Sequence, residues 1–582
     1  MAVLERAAGD AGRGRVAHAD ILAAIARARH AEALVPRAVP RAARGVAGFA
    51  TREGVETERR MLALEAGTCG TVALLADRFD AGRIIGAAEL RSAEHGHRWT
   101  KGQRDATRDL LLSPHGVTGI QDSAGTPKTT TVLATYADAA RDQGFEVRAL
   151  APTATAAAVL GNAIGAEHMT FARMLSHTST IACAEHSPEV WAVDETSMLG
   201  ARDAEALLAQ ARAQGARLVL VGDVDQLGSV EAGRAFSQLQ DDGMFTPRLD
   251  EIVRQTNPHT RAAVEAMLDG DAQAAFDALD AGGGRVVEQP DTQTRQAVLA
   301  RDFAALSREE RARTLVLDPT RQGRQELTDA IRAALITDGT LGEDAMVARV
   351  LEPRGLTRTE ARLATSYQPS DIVAFRKSEK GRPRAGIGYR VESVDAESGA
   401  VRLVPDKGKT HDWQPARWGA AQAEAFVEVE QEFRAGDRVQ FTRNNYRADR
   451  LNGQTAEVVA IDPAGSSMVV EREDGRRDML DLRHLADRHI RHGWVRTIHS
   501  SQGATCERVM AHLESFRAKT VDAASVYVAI SRARTSAAVY IDSRASPTDA
   551  LGLRDGAQVG AVDETLMRCG PGIVVDSAGP DI

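Results

Sequence analysis

Short apolar runs alternate with amphipathic stretches from Thr100 to about Phe245. "GVTGI", "EVRALAP", "VWAVDE" and "ARLVLVGD" have the apolar density of buried strands, and "ARDAEALLAQARAQ" places its apolar positions at helical spacing. This alternation predicts an α/β domain around a mostly parallel sheet. A second set starts at "RTLVLDPT" (Arg313–Thr320), continues with the helix "RQELTDAIRAAL", and resumes at "GWVRTIHSSQGAT" and "SVYVAISRAR". Residues 1–98 are rich in Ala, Arg and Glu at helical spacing, as in "HADILAAIARARHAEALV".

Between the two α/β sets the texture changes to short alternating strands with Gly and Asn turns. "SDIVAFRK…GIGYRVESVDAESGAVRLV" and "GDRVQFTRN…LNGQTAEVVAIDPAGSSMVV" read as two copies of one unit, offset by about 66 positions. Asp371 matches Asp437, Phe375 matches Phe441, and Asp395 nearly matches Asp462. Each copy is expected to form a small SH3-like β-barrel. The stretch after Ser543 is rich in Gly, Asp and Pro and is expected to pack poorly.

Composition narrows the classes. At 582 residues the chain has room for several cores, with 43% apolar and 26% charged residues. Its four cysteines (Cys69, Cys183, Cys506, Cys569) contain no CxxC pair, so neither a disulfide framework nor a zinc site is indicated. There is no membrane-length apolar run and no signal-peptide core at the start, so a cytoplasmic protein without membrane association is expected. The net charge of −9 argues against an overall basic coat but leaves room for a local basic groove.

Candidate chemistry sits at strand ends. "TGIQDSAGTPKTTTV" (Thr118–Val132) has the strand–turn–helix context of a phosphate-binding loop, with Ser123, Ala124, Gly125, Thr126, Pro127, Lys128, Thr129 and Thr130 around the phosphates. In such a loop Lys128 would neutralise phosphate charge and Thr129 would ligate magnesium. "VWAVDETSM" ends in Asp194 and Glu195, a pair suited to hold Mg2+ through the first carboxylate and to activate water through the second. "LVLVGDVDQLGSV" follows with Asp223 and Gln226, where a glutamine can contact a γ-phosphate.

With these motifs in order, the chain resembles the helicase half of TraI/TrwC-type conjugative relaxase–helicases, within superfamily 1, with RecD-like helicases next nearest. The resemblance runs from about Thr51 to Asp542. "KGQRDA" resembles the adenine-contacting segment and gives Gln103; "APTATAAAVL" resembles motif Ia and gives Thr153 as a DNA-phosphate contact. "LDEIVRQTNP" resembles motif IV and gives Arg254; "TIHSSQGAT" resembles motif V, with His499 and Gln502 near DNA; "VYVAISRAR" resembles motif VI and gives Arg532. The resemblance implies two RecA-like P-loop NTPase motor domains, 99–245 and 246–345 with 490–545. It also implies an inserted β-barrel domain at 346–489, a helical lead-in at 1–98 and a tail at 546–582. ATP and Mg2+ are the implied cofactors. Single-stranded DNA, duplex junctions and conjugation or relaxosome proteins are the implied partners, with 5′ to 3′ movement. Lys128, Asp194, Glu195, Gln226, Arg254 and Arg532 form the implied catalytic set, the arginines reaching in from the second domain.

Two residues depart from the family pattern. Asp122 stands where the loop's first glycine belongs, and Pro127, which lacks an N–H, precedes Lys128. Loss of one charge-assisted hydrogen bond costs about 1.5–3 kcal/mol, so weakened ATP binding is expected. Two function classes stay open: an ATP-driven DNA helicase, or a non-hydrolysing DNA-binding scaffold on the same fold. DNA nicking is not expected, because no tyrosine precedes Tyr136 and "HGH" (His95–His97) offers only two histidines. Phe171, Trp191 and Tyr446 are the aromatics available for base stacking, each more often a core residue than a platform.

Overall fold

The computed structural model describes residues 18–31, 33–37, 48–123, 128–176, 187–226, 228, 233–357, 359–378, 381–445, 447–514 and 523–544. They fall into two units. The first comprises residues up to Ala278 together with 523–535; the second runs from Leu279 to 514 together with 536–544. Residues 246–278 and 523–535, expected with the second motor domain, thus group with the first.

The first unit is built on six strands: β1 (Val117–Asp122), β2 (Glu146–Ala151), β3 (Glu167–Thr170), β4 (Glu189–Val193), β5 (Arg217–Gly222) and β6 (Arg248–Leu249). Their order is β3-β2-β4-β5-β1-β6, every neighbour parallel. Alternate residues of β5 serve opposite faces: Val219 and Val221 join one core, Leu218 and Leu220 the other. Such two-sided burial explains why these strands read as nearly continuous apolar runs.

Helices α1 (Arg52–Ala66), α2 (Arg78–Glu94), α3 (Lys101–Leu111), α4 (Ala134–Asp142), α5 (Ala154–Ile164) and α6 (Ala201–Gln214) accompany the sheet, and α7 (Pro258–Leu268) follows β6. Thr51, Asp77, Thr100 and Thr153 accept a backbone N–H at the start of α1, α2, α3 and α5, the usual use of a short polar side chain at that position. Met61 and Leu62 of α1 pack with Leu207 and Leu208 of α6, while Ala81 and Ile85 of α2 pack with Leu110 of α3.

In the second unit β7 (Gly284–Glu288) and β8 (Thr314–Asp318) belong to a five-stranded sheet, with α8 (Thr292–Ala304) and α9 (Arg321–Thr337) beside them. An antiparallel sheet follows, made of β9 (Ala345–Pro353), β10 (Ile372–Phe375), β11 (Gly388–Asp395), β12 (Ala400–Pro405), β13 (His411–Trp413) and β14 (Ala423–Arg434). A second contains β15 (Arg438–Phe441), β16 (Thr455–Asp462), β17 (Ser467–Arg472), β18 (Arg477–Asp481) and β19 (Ile490–His492). The chain then returns to the first of these sheets through β20 (Val495–Thr497), β21 (Cys506–Leu513) and, after helix α10 (Ala523–Ser531) of the first unit, β22 (Ala533–Ile541). That sheet has the order β20-β8-β21-β22-β7.

The internal repeat is visible residue by residue. β10–β11–β12 and β15–β16–β17 have the same antiparallel order, and each carries a register shift at the same place, between Val391 and Ser393 and between Val458 and Ala460. The Asp371 carbonyl accepts from Val391 N at 2.8 Å, and the Asp437 carbonyl accepts from Val458 N at 2.8 Å. Trp191 and Phe171 are core side chains of the first unit. Tyr446, Ala124–Pro127 and the tail beyond 544 lie outside the described residues.

Candidate nucleotide and nucleic-acid site

The parallel sheet delivers four polar groups to the carboxyl ends of its strands, where open α/β sheets bind ligands. β1 ends at Asp122, buried, and the chain reaches the helical turn Lys128–Leu133 six residues later. β4 delivers Asp194 and Glu195. One Asp194 oxygen, Oδ1, accepts from Glu195 N at 2.8 Å, fixing the turn. Glu195 itself has φ 54°, a left-handed conformation that costs a side-chain-bearing residue about 1–2 kcal/mol. Non-glycine residues held there concentrate at functional sites. The turn packs close to β5: a Cβ at Gly222 would lie 2.9 Å from Thr196 Oγ1.

Beyond β5, Asp223 is saturated with donors. Its Oδ1 accepts from Gln121 Nε2 (3.2 Å) and Asp225 N (3.0 Å), its Oδ2 from Gln226 Nε2 (3.0 Å) and Tyr527 Oη (2.9 Å). Burial, then the nearby Asp225 carboxylate, still push Asp223 above the usual carboxylate range. Gln226 uses its other end to accept from Arg532 Nη2 at 2.8 Å. Arg532 is 1% exposed and also donates Nε to the Val528 carbonyl at 3.1 Å.

Arg254 completes the cluster. Its Nη1 donates to the Ser531 carbonyl at 3.1 Å. Desolvation, then repulsion from Arg532, pull it down to about 10, against the attraction of Asp122, Glu195 and Tyr527. Asp122 thus has Arg254 as an electrostatic partner. The segment after β6 is tied to the end of α10: Gln255 Nε2 donates to the carbonyls of Ser531 (3.0 Å) and Ala533 (2.9 Å), and Thr256 N to that of Arg534 (2.9 Å). These bonds explain why both arginines belong to the first unit, with Glu195, instead of arriving from the second.

The remaining sequence candidates take different places. Gln103 closes a capping box on α3 and donates Nε2 to Thr131 Oγ1 at 3.0 Å. Thr153 is exposed at the start of α5, just past β2. His499 and Gln502 lie in the second unit, in the turn after β20, where Ile498 N donates to the Asp318 carbonyl at 3.1 Å. Burial lowers the His499 pKa. Sequence reasoning missed Tyr527, Gln121 and Gln255. Tyr527 lies inside an apolar run with no polar neighbour to flag it, and both glutamines look like ordinary surface residues in the sequence.

The first unit is an α/β domain on a parallel sheet with acids at two of its strand ends, and residues 98–291 match the family described as AAA domain. Over a longer stretch the chain is similar to the multifunctional conjugation protein TraI of Escherichia coli, 26% identical over 517 residues, covering 80% of this chain and 28% of TraI. It is also 27% identical over 479 residues to the RecBCD enzyme subunit RecD of Mycobacterium tuberculosis, covering 77% of this chain and 70% of RecD. The chain therefore spans little more than a quarter of TraI's length. Among solved structures, Bacteroides Pif1 bound to ssDNA aligns with TM-score 0.43 and 15% identity over 77% of this chain and 93% of that one.

Proposed function

We propose that this chain is a Mg2+-dependent ATPase that uses hydrolysis to move along single-stranded DNA, a superfamily 1 helicase acting 5′ to 3′ at duplex junctions during conjugative transfer. The cytoplasm is its compartment, and relaxosome proteins are its natural partners. The observation that carries this reading is the grouping of Arg254 with Arg532, Asp122 and Glu195, with Arg532 bonded to Gln226. Two guanidiniums that repel each other inside protein gain most when a polyphosphate enters between them. Similarity to TraI and RecD supports the same reading.

The residues fit the cofactor. Asp194 and the Thr129 hydroxyl are hard oxygen donors of the kind magnesium takes alongside nucleotide phosphates, and Asp194 is held by Glu195 N. Magnesium bound there would offset charge on the β and γ phosphates. Glu195 takes a proton from the attacking water, Gln226 orients the γ-phosphate end, and Arg254 and Arg532 stabilise charge on the transferring group. The test is ATP hydrolysis with and without single-stranded DNA. Stimulation in the wild type, lost in Glu195→Gln, is expected; wild-type turnover no higher than that of the variant would sink the proposal.

A further inference from the structure

Gln103 stands in the sequence as a candidate base contact, yet its side chain is engaged by the protein itself. It is the third residue of α3, a position from which a glutamine reaches back to the helix start. Thr100 N donates to Gln103 Oε1 at 2.8 Å, and Gln103 N donates to Thr100 Oγ1 at 3.3 Å. The other end of the amide, Nε2, donates to Thr131 Oγ1 at 3.0 Å. An amide end can make two bonds, but Gln103 is 2% exposed, so no base edge reaches it unless the capping box opens.

The bond to Thr131 joins two parts of the site. Thr131 lies in the Lys128–Leu133 turn, which is wound as a π-helix, a rare winding that is frequent at functional sites. Thr131 is buried, and Val132 and Leu133 after it are core residues. The start of α3 has a second tie: Gly102 N donates to Glu251 Oε1 at 3.2 Å, on the segment that continues to Arg254. The first turn of α3 is thereby a strut between the Arg254 segment and the turn that carries Lys128 and Thr129.

We propose that Gln103 is a positioning residue: through Thr131 it sets the turn that receives the nucleotide's phosphates, and it takes no part in choosing the base. This rests on the ATPase reading above and assigns one residue's work within it. A glutamine that reads adenine presents its N–H and C=O side by side to one base edge. Here the two ends are directed to Thr100 and Thr131. Discrimination among nucleoside triphosphates is therefore independent of this side chain, whereas the placement of the phosphate turn depends on it.

The test compares ATP with GTP as substrates of the full chain in the wild type, Gln103→Leu and Gln103→Glu. Leucine loses both bonds. Glutamate keeps them: one oxygen accepts from Thr100 N, and the other donates to Thr131 when protonated or accepts from it when ionised. Gln103→Leu should lower kcat by about tenfold or more for both nucleotides alike, while Gln103→Glu stays within about threefold of wild type. The ATP-to-GTP ratio of kcat/KM should stay within about twofold of wild type in both variants. Melting without nucleotide gives a readout free of turnover, with Gln103→Leu expected below wild type and Gln103→Glu beside it. A ratio that falls by about tenfold or more in either variant, the worth of a paired contact to a base, would overturn the proposal and leave the motor reading standing. Wild-type kcat in Gln103→Leu would overturn it equally. Should Gln103→Leu not fold, the ratio in Gln103→Glu decides alone. A wild-type chain that hydrolyses neither nucleotide would end both readings.

Discussion

Arg532 donates through Nη2 to Gln226 Oε1 at 2.8 Å, and the same glutamine donates through Nε2 to Asp223 at 3.0 Å. One amide therefore holds the guanidinium and reports to the end of β5. Arg532→Lys keeps the charge but loses the fork, so it should not restore activity. Arg532→Ala should reduce DNA-stimulated ATPase by about 10³-fold or more, the usual worth of such an arginine, measured as kcat by a coupled assay.

Tyr527 supplies one of the four donors on Asp223. Tyr527→Phe leaves that carboxylate short of a partner and should cost about 1–3 kcal/mol in urea unfolding. Asp223 already keeps its proton to higher pH in the folded chain than in the unfolded one, chiefly because it is buried. The folded state thus binds more protons through that window, and stability falls as pH rises across it. The variant pushes the carboxyl higher still and should steepen the fall.

Glu195 separates chemistry from conformation. Glu195→Gln should lower ATP turnover by at least about 100-fold while leaving the melting temperature near wild type. Because φ at this position is 54°, Glu195→Gly should be about 1 kcal/mol more stable than Glu195→Ala. Thermal melts of the two inactive variants check it.

His489 and His492, both buried in the second unit, are pulled down to about 4, each mainly by desolvation, with Arg443 next for His489 and Arg332 also opposing protonation of His492. The unfolded chain takes these protons near pH 6.5, the folded chain only near 4. Stability from each is therefore complete above about pH 6.5 and is lost as pH falls toward 4, by up to about 3 kcal/mol per ring. Denaturant midpoints against pH should flatten in His489→Gln and His492→Gln.

A buried quartet supports the start of α9. His512 accepts from Arg295 Nε at 3.1 Å through Nε2, so its proton sits on Nδ1, which donates to Asp318 Oδ2 at 2.8 Å; Arg295 Nη2 meets Glu514 at 2.6 Å. Asp318 Oδ1 in turn accepts from Thr320 N at 2.7 Å. A Cβ at Gly323 would lie 2.3 Å from the Asp318 carboxylate. Gly323→Ala should displace that acid, and His512→Phe should strand it. The second should cost about 3–5 kcal/mol by chemical denaturation.

Much of this architecture was legible because β1, β2, β4 and β5 are buried on both faces and announce themselves as apolar runs, with their acids at the ends. The duplicated sheets were legible through Asp371 and Asp437, each needed at the same turn. The grouping of 523–535 with the first unit was not. Helix α10, "AASVYVAIS", is rich in β-branched residues and buried at most positions, so it has no polar stripe to mark its period, and packing overrides its strand-like composition. The bonds of Gln255 to Ser531 and Ala533 join residues 276 and 278 positions apart, a relationship no local pattern carries.

The two repeats are fastened differently. Asp437 takes both ends of the Arg332 guanidinium, at 2.9 Å each, from the middle of α9, while Asp371 takes Arg354, just past β9, at 2.7 Å. Removing Arg332 therefore cuts the second copy's carboxylate from a core helix, whereas removing Arg354 cuts the first copy's only from the segment after β9.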